Sequence, residues 1–415
     1  MRTFYRDSLR PTVEVMLEKN KNDIVFLAKT NFRNRRVRFG IKKEDRRSHT
    51  YLIGKTGVGK STLLKSIMRQ DLNNGAGFAL LDPHGDLVEE VLRLVPQERE
   101  KDLIYINPSY PLHQMGFNVF EGVNTPEGRH LVASGLISVF KKLWREFWGP
   151  RTEYILRNSI LALLEYPGTT LLDLTRIMVD EIFRKAVLLY VTDIYVKEFW
   201  LKEFAKYPAR LKAEAIAPIQ NKAGAFLGNP FIRKIVGNQK SLFDVRRVMD
   251  TGGILLVNLS KGRLGEDTAM LLGSLLITKL ELAALSRSDT PEEKRKDFYL
   301  FIDEFHTFTT ASLTDMLPEM RKRRLSLVLA HQYLEQIDEK LRAAIFGNVG
   351  TIISFRVGAR DAEYLAKEFY KVFKMEDFVN LPTYHIYIKL MIDGVSSKAF
   401  SAVTLQPSNE KRYLN

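Results

Sequence analysis

Along most of this chain, short runs of consecutive apolar residues bounded by turn-forming residues alternate with longer stretches of helical periodicity. Residues 51–53, 78–81, 102–106, 252–260, 298–304, 325–332 and 348–355 read as strands. Their apolar positions are contiguous rather than alternating, the pattern of parallel strands covered on both faces. Helical patterns follow several of them: one opens at residues 63–68, and others cover 87–94, 266–286 and 359–370. Strand, helix, strand, helix predicts an α/β fold of the doubly wound kind, in which ligands gather at the carboxyl ends of the strands.

Two regions depart from that rhythm. Residues 12–29 hold two apolar runs, 13–17 and 24–27, about a polar turn, and predict a hairpin; residues 37–41 add a strand, and residues 384–390 and 397–404 flank Asp393-Gly394 as a second hairpin. Between the two, Thr125-Pro126 is a helix start, with an N-cap hydroxyl followed by proline at the first helical position. From there residues 132–147, 152–165, 170–190, 196–204 and 213–226 all carry helical periodicity. The expected organisation is a basic, β-rich segment at 1–36, a nucleotide-binding domain in two parts at 37–123 and 251–415, and an all-α insertion at 124–250.

Composition narrows the class. A hydrophobic fraction of 45% in 415 residues is that of a protein with a sizeable core. No stretch offers the roughly 18 uninterrupted apolar residues of a membrane span, and residues 2–6 carry no apolar signal-peptide core, so a soluble, cytoplasmic chain is expected. The absence of cysteine excludes disulfides, thiolate zinc sites and a cysteine nucleophile.

The formal charge is +14, and residues 1–50 hold 14 basic against 6 acidic residues, among them Arg33, Arg35, Arg36, Arg38, Lys42, Lys43, Arg46 and Arg47. Such an excess suits a polyanion or an anionic membrane surface, or is a solvated basic face. Trp144 to Arg151 mixes aromatic and basic residues, as a single-strand stacking surface would, but core packing is the preferred reading. Arg151 and Arg157 are better candidates for a subunit or nucleic-acid contact.

The chemistry concentrates at strand ends. Gly54-Lys55-Thr56-Gly57-Val58-Gly59-Lys60-Ser61-Thr62 fits G-x-x-x-x-G-K-[ST] between a strand and a helix. Glycines there let successive N–H groups converge on a phosphate at a positive helix terminus. Lys60 would reach the β and γ phosphates and Ser61 would ligate Mg²⁺. Residues 298–302 end in Asp303 and Glu304: the first would bind Mg²⁺, the second would polarise the attacking water, the two side chains pointing to opposite sides of the strand. Asp82 either contacts magnesium-bound water or a neighbouring arginine, or caps a helix. His84 lacks a partner at metal-ligand spacing. Gln332 either senses the γ phosphate or orients water, or satisfies a loop. Arg321, opening Arg321-Lys322-Arg323-Arg324, either acts as an arginine finger on a neighbouring subunit or belongs to a solvated helix end.

In order, residues 54–62, Asp82-Pro83-His84-Gly85-Asp86, the helical insertion, Asn258-Leu259-Ser260-Lys261-Gly262-Arg263, Phe301-Ile302-Asp303-Glu304-Phe305, and Arg321 eleven residues before Gln332 resemble the ATPase domain of conjugative coupling proteins, the DNA-transfer pumps of type IV secretion in the HerA/FtsK superfamily. The resemblance covers nearly all of residues 37–405. It implies a RecA-like P-loop NTPase with a central, mainly parallel sheet and an inserted all-α domain, working as a hexameric ring that hydrolyses ATP with Mg²⁺ and draws DNA through its channel. It implies phosphate and metal roles for Lys60, Ser61 and Asp303, catalysis by Glu304, sensing by Gln332 and a finger at Arg321, with Arg263 and Arg356 as weaker finger candidates. A secretion channel and a relaxase-type protein are the implied partners. Family members anchored in the membrane carry amino-terminal transmembrane helices, which this sequence lacks; a soluble member, a truncation or the partner of a separate membrane subunit would each account for that. The same motor serving DNA-end processing, packaging or defence, and a nucleotide-switched docking scaffold for secretion substrates, are the alternatives.

Overall fold

Among the described residues, eleven strands form one sheet. The computed structural model describes residues 23–31, 36–109, 116–308, 311–370 and 372–405. The strands are β1 Ile24–Thr30, β2 Arg38–Lys42, β3 Thr50–Ile53, β4 Gly77–Asp82, β5 Leu103–Ile106, β6 Ile254–Asn258, β7 Phe298–Ile302, β8 Leu325–His331, β9 Thr351–Ser354, β10 His385–Lys389 and β13 Phe400–Thr404. Their order across the sheet is β2-β1-β13-β10-β9-β3-β8-β7-β4-β6-β5. A separate two-stranded ribbon pairs β11 Met391–Ile392 with β12 Val395–Ser396 across Asp393-Gly394, both at positive φ, as a tight hairpin turn requires.

From β9 to β5 the neighbours are all parallel. Every residue of β3, β4, β6, β7, β8 and β9 is buried, which explains their unbroken apolar sequences. Period two still sorts the side chains. Tyr51, Ile53, Leu81, Leu300, Ile302 and Leu329 join the core beneath the long helix Glu266–Ser286, whereas Leu52, Leu80, Phe301 and Ala330 pack with Leu63, Leu64 and Ile67 of helix Lys60–Asn73. The α/β fold with a central, mainly parallel sheet is therefore present.

At the other side the sheet turns antiparallel through β10, β13, β1 and β2. The expected hairpin at residues 12–29 is different. β1 pairs with β2 and β13, and the other proposed arm, 13–17, lies outside the described residues.

Helices occupy the segment from Pro126 to Thr251. The Thr125 hydroxyl accepts the Gly128 N–H and caps the first of them, Pro126–Leu143. The periodic stretch 170–190 is not one helix but two, Asp173–Val179 and Glu181–Tyr190, because Asp180 turns extended and its carboxylate caps the second by accepting the Phe183 N–H. Trp144 is buried and stacked on Phe140 at 4.5 Å, so it is core. Arg157 is paired with Glu153 on its own helix, and Arg151 is exposed. Helix Glu266–Ser286 lies within the one segment, among the described residues, long and apolar enough to cross a membrane, and 78% of that window is buried inside the protein.

Two of the amino-terminal arginines belong neither to a solvated face nor to a free basic surface. Arg46 donates both terminal nitrogens to Asp71 at 2.6 and 2.8 Å beneath the Tyr299 ring, and Arg47 forms a fork with Asp297. Burial opposes the charge of Arg46, but Asp71 and the neighbouring Tyr299 and Asp297 raise its pKa above the ordinary value.

Candidate functional site

The register of the parallel strands brings six chain segments to one edge. Ile53 lies opposite His331 and Ser354, Leu81 opposite Ile302, and Asp82 opposite Asn258. Residues 54–62, Asp82 to Gly85, Leu259 to Lys261, Asp303-Glu304, Gln332 and Arg356 therefore emerge together. β8 stands between the strand that feeds the glycine loop and the strand that feeds the carboxylates, and this places Gln332 between them.

The loop after β3 is shaped by backbone demands. Gly57 and Gly59 have φ of 75° and 112°, a region that side chains disfavour. A Cβ on Gly59 would stand 2.6 Å from the Tyr384 ring, and one on Gly54 would stand 2.6 Å from Phe355 Cβ. The Lys55 N–H donates to Arg356 O at 2.9 Å and the Tyr384 N–H donates to Val58 O at 2.9 Å, so flanking segments tie the loop down. Gly59 is the N-cap of helix Lys60–Asn73, whose first N–H groups face the loop. Lys55, Thr56, Gly57 and Ser61 are exposed, Thr62 is half-buried, and Val58 is buried. Lys60 is buried and its ammonium donates to Gly54 O at 2.6 Å and Lys55 O at 3.1 Å. Burial pulls its pKa down, against the attraction of Glu304 and Asp303.

The carboxylates differ from the expectation in one respect. β7 ends at Ile302, and Glu304 has φ of 45°, so the alternation of a strand does not govern the pair. Asp303 and Glu304 are both buried. Burial first, then the charges of Asp82 and Glu304, push the Asp303 carboxyl up to about 7. Asp82 itself is a cap: its oxygens accept the N–H groups of His84 at 2.8 Å, Leu87 at 2.9 Å and Val88 at 3.2 Å. His84 is exposed beside it.

An acid whose pKa is raised by burial and by neighbouring acids is a site that a divalent cation would relieve, and the loop beside it is packed too closely at Gly54 and Gly59 for a Cβ. Among the described residues no group of three or more His, Asp or Glu is arranged to hold a metal alone. That fits Mg²⁺, which takes one or two protein oxygens and completes its shell with phosphate and water. Ser61 and Asp303 are the residues that would hold it.

Gln332 Nε2 donates to Glu304 Oε1 at 2.9 Å. His306 Nδ1 lies 3.4 Å from the other oxygen, Oε2. The turn carrying them is held from outside: Lys142, at the end of helix Pro126–Leu143, donates to the carbonyls of His306 and Thr307, and Lys261 donates to the Thr307 hydroxyl. Burial and Lys261 push Lys142 down to about 8. His306, Lys142 and Tyr384 escaped the sequence reading. For His306 the signal was its place three residues after Asp303; Lys142 and Tyr384 have no local signal, because only tertiary contact brings them here.

The three finger candidates separate. Arg356 borders the glycine loop and the exposed Arg263 follows β6 at the same edge. Arg321 is exposed at the opposite edge, before β8, about 20 Å or more from Gln332 by the rise of a seven-residue strand. It cannot serve the site of its own chain.

A family model for the type IV secretion-system coupling protein DNA-binding domain matches residues 37–372. Among solved structures, the unbound bacterial conjugative coupling protein TrwBdeltaN70 is similar with a TM-score of 0.66 at 18% identity, covering 96% of this chain and 91% of that one. TrwB in complex with ADP and Mg²⁺ gives 0.66 at 19%, covering 96% and 93%, and VirB4 of Thermoanaerobacter pseudethanolicus gives 0.66 at 12%, covering 94% and 98%. At such identities the likeness is one of fold. No curated protein sequence matches this chain.

Proposed function

Because this chain belongs to the type IV secretion-system coupling protein family, we propose that it is a DNA-translocating ATPase of conjugative transfer, working with Mg²⁺ as a ring of identical subunits. The observation that carries the reading is the meeting of the glycine loop, Lys60, the Asp303-Glu304 turn and Gln332 at one edge of the sheet.

In this reading the loop N–H groups and Lys60 hold the triphosphate, Lys60 exchanging its two loop carbonyls for phosphate oxygens. Ser61 and Asp303 would hold Mg²⁺, which when bound would neutralise phosphate charge. Glu304 accepts a proton from the attacking water, a role that contributes typically about 10²- to 10⁴-fold. Gln332 keeps that carboxylate in place and senses the γ phosphate. Arg321 reaches the site of a neighbouring subunit, since its edge of the sheet excludes its own. The nucleic-acid partner is DNA, driven through the ring channel; the place of work is the cytoplasmic face of the membrane, reached through a channel protein or a relaxase-bearing substrate.

The test is ATP turnover by the full chain with Mg²⁺, with and without DNA. Turnover is expected to rise with DNA, to be lost in Lys60→Ala and to fall by about 10²- to 10⁴-fold in Glu304→Gln; no DNA-stimulated turnover in any oligomeric state would sink the proposal. Mixing inactive Arg321→Ala and Lys60→Ala chains is expected to restore part of the activity, because some interfaces then hold an intact loop facing an intact arginine. No recovery on mixing would remove Arg321 from the role.

A further inference from the structure

Glu304 is hydrogen-bonded at one oxygen by Gln332 and faced at the other by His306, which lies outside the motifs. Gln336, in the turn after β8, accepts the N–H groups of Gln332 at 3.3 Å and Tyr333 at 3.2 Å on its Oε1. That fixes which end of its amide is which. Its Nε2 therefore donates to His306 Nε2 at 3.1 Å, so His306 Nε2 is an acceptor and carries no proton. A neutral imidazole with a bare Nε2 carries its proton on Nδ1, and Nδ1 faces Glu304 Oε2 across 3.4 Å. Gln332 holds Oε1. Hydrogen bonds thus run from Glu304 Oε1 through Gln332 and Gln336 to His306, whose Nδ1 faces the other carboxylate oxygen.

We propose that His306 is a positioning residue for Glu304: its Nδ1–H, set by Gln336, aims the carboxylate at the attacking water. The proposal rests on the reading of Glu304 as the hydrolytic carboxylate. The long contact is of the kind that tightens once substrate is bound. Without it, a left-handed backbone at Glu304 leaves Gln332 as the one side chain, among the described residues, that hydrogen-bonds its carboxylate. The surroundings favour the neutral ring: Lys261 and Lys142 approach from the segment after β6 and the helical insertion, His84 from the segment after β4, and His331 lies with its ring 6.4 Å away. Burial, then Lys261 and Lys142, push His306 down to about 4. Phe305, the residue between Glu304 and His306, is fully buried and anchors the turn against Tyr51.

The test is steady-state ATP hydrolysis by the full chain with DNA and Mg²⁺, alongside binding of a fluorescent ADP analogue. His306→Ala is expected to lower kcat by about tenfold to a hundredfold, the scale of losing an orienting partner, with KM for ATP and the affinity for the ADP analogue within about twofold of wild type. His306→Asn, whose amide N–H stands where Nδ1–H stood, is expected to recover most of kcat. Gln336→Met, which removes the donor that fixes the tautomer, is expected to lower kcat less than His306→Ala does. Wild-type kcat in His306→Ala, or His306→Asn as slow as His306→Ala, would overturn the proposal. Should His306→Ala fail to fold, Gln336→Met decides, and unchanged kcat there would overturn it. Absence of turnover in the wild-type chain would instead strike the hydrolytic reading of Glu304.

Discussion

The two ends of the parallel strands bury charge in opposite ways. At the amino ends two buried acids have met arginines, Asp71 with Arg46, and Asp297 with Arg47 and Arg324, while the fully buried Arg287 is held by Asp250 and by the carbonyls of Arg323 and Lys296. At the carboxyl ends Asp82, Asp303 and Glu304 gather with no arginine ion-paired to them among the described residues, and Lys60 is spent on loop carbonyls. A buried ion pair completed within the chain holds a fold in one geometry. A cluster left short of positive charge is completed by a ligand, and this is the difference between a structural edge and a working one.

Breaking each edge separates them. The largest effect belongs to the working edge: Glu304→Gln is expected to reduce ATP turnover by about 10²- to 10⁴-fold while leaving thermal stability equal to or above that of wild type, because it removes one charge from a crowded acidic cluster. A large fall in melting temperature would erase the distinction. At the structural edge Arg46→Ala is expected to cost about 3–5 kcal/mol, since Asp71 stays buried without its partner. Denaturant unfolding measures it, and replacing both members by apolar residues is expected to recover most of the loss. A cost below about 1 kcal/mol for the single change would mean that the pair is solvated.

The next effect is a pH dependence. His49, at the structural edge, donates from Nε2 to Leu317 O and accepts the Leu327 N–H on Nδ1. Both positions suit only the neutral ring, and burial pushes its pKa down from 6.5 to about 4. Protonation is thus easier in the unfolded chain. This group's stabilisation is complete above pH 6.5 and is lost as pH falls from 6.5 through about 4, by about 3 kcal/mol. His306 and His331 are also depressed, so the measurement is a difference. His49→Asn, uncharged at every pH and tolerant of the φ of 62° there, is expected to show a shallower acid limb in unfolding experiments by about that amount. The smallest effect is at the rim of the same edge, where Lys42 pairs with the mostly exposed Asp393. Asp393→Asn is expected to change stability by less than about 1 kcal/mol, read from the denaturation midpoint.

How far these edges are legible in sequence follows from the range of the interactions. Residues 54–62 and Asp303-Glu304 stand out because their chemistry needs particular residue types at fixed local spacing, after an apolar run that has no choice but to be a buried strand. The helices between Pro126 and Thr251 are legible from periodicity, except where Asp180 breaks the stretch 170–190 because its capping carboxylate overrides the pattern. The basic amino-terminal segment is not. Arg47 finds Asp297 across 250 positions, and nothing near Arg47 distinguishes a paired arginine from a solvated one.

By itself, then, the sequence determined the α/β class, the buried strands and the chemical content of the strand ends, because periodicity and residue type act over a few positions. Only the tertiary structure decided that β8 separates the glycine loop from the carboxylates, that Arg321 lies at the far edge from its own site, and that Lys142, Gln336 and His306 close around the Glu304 turn. Strand order and long-range pairing are settled by which surfaces can be buried together, and that is a property of the whole chain.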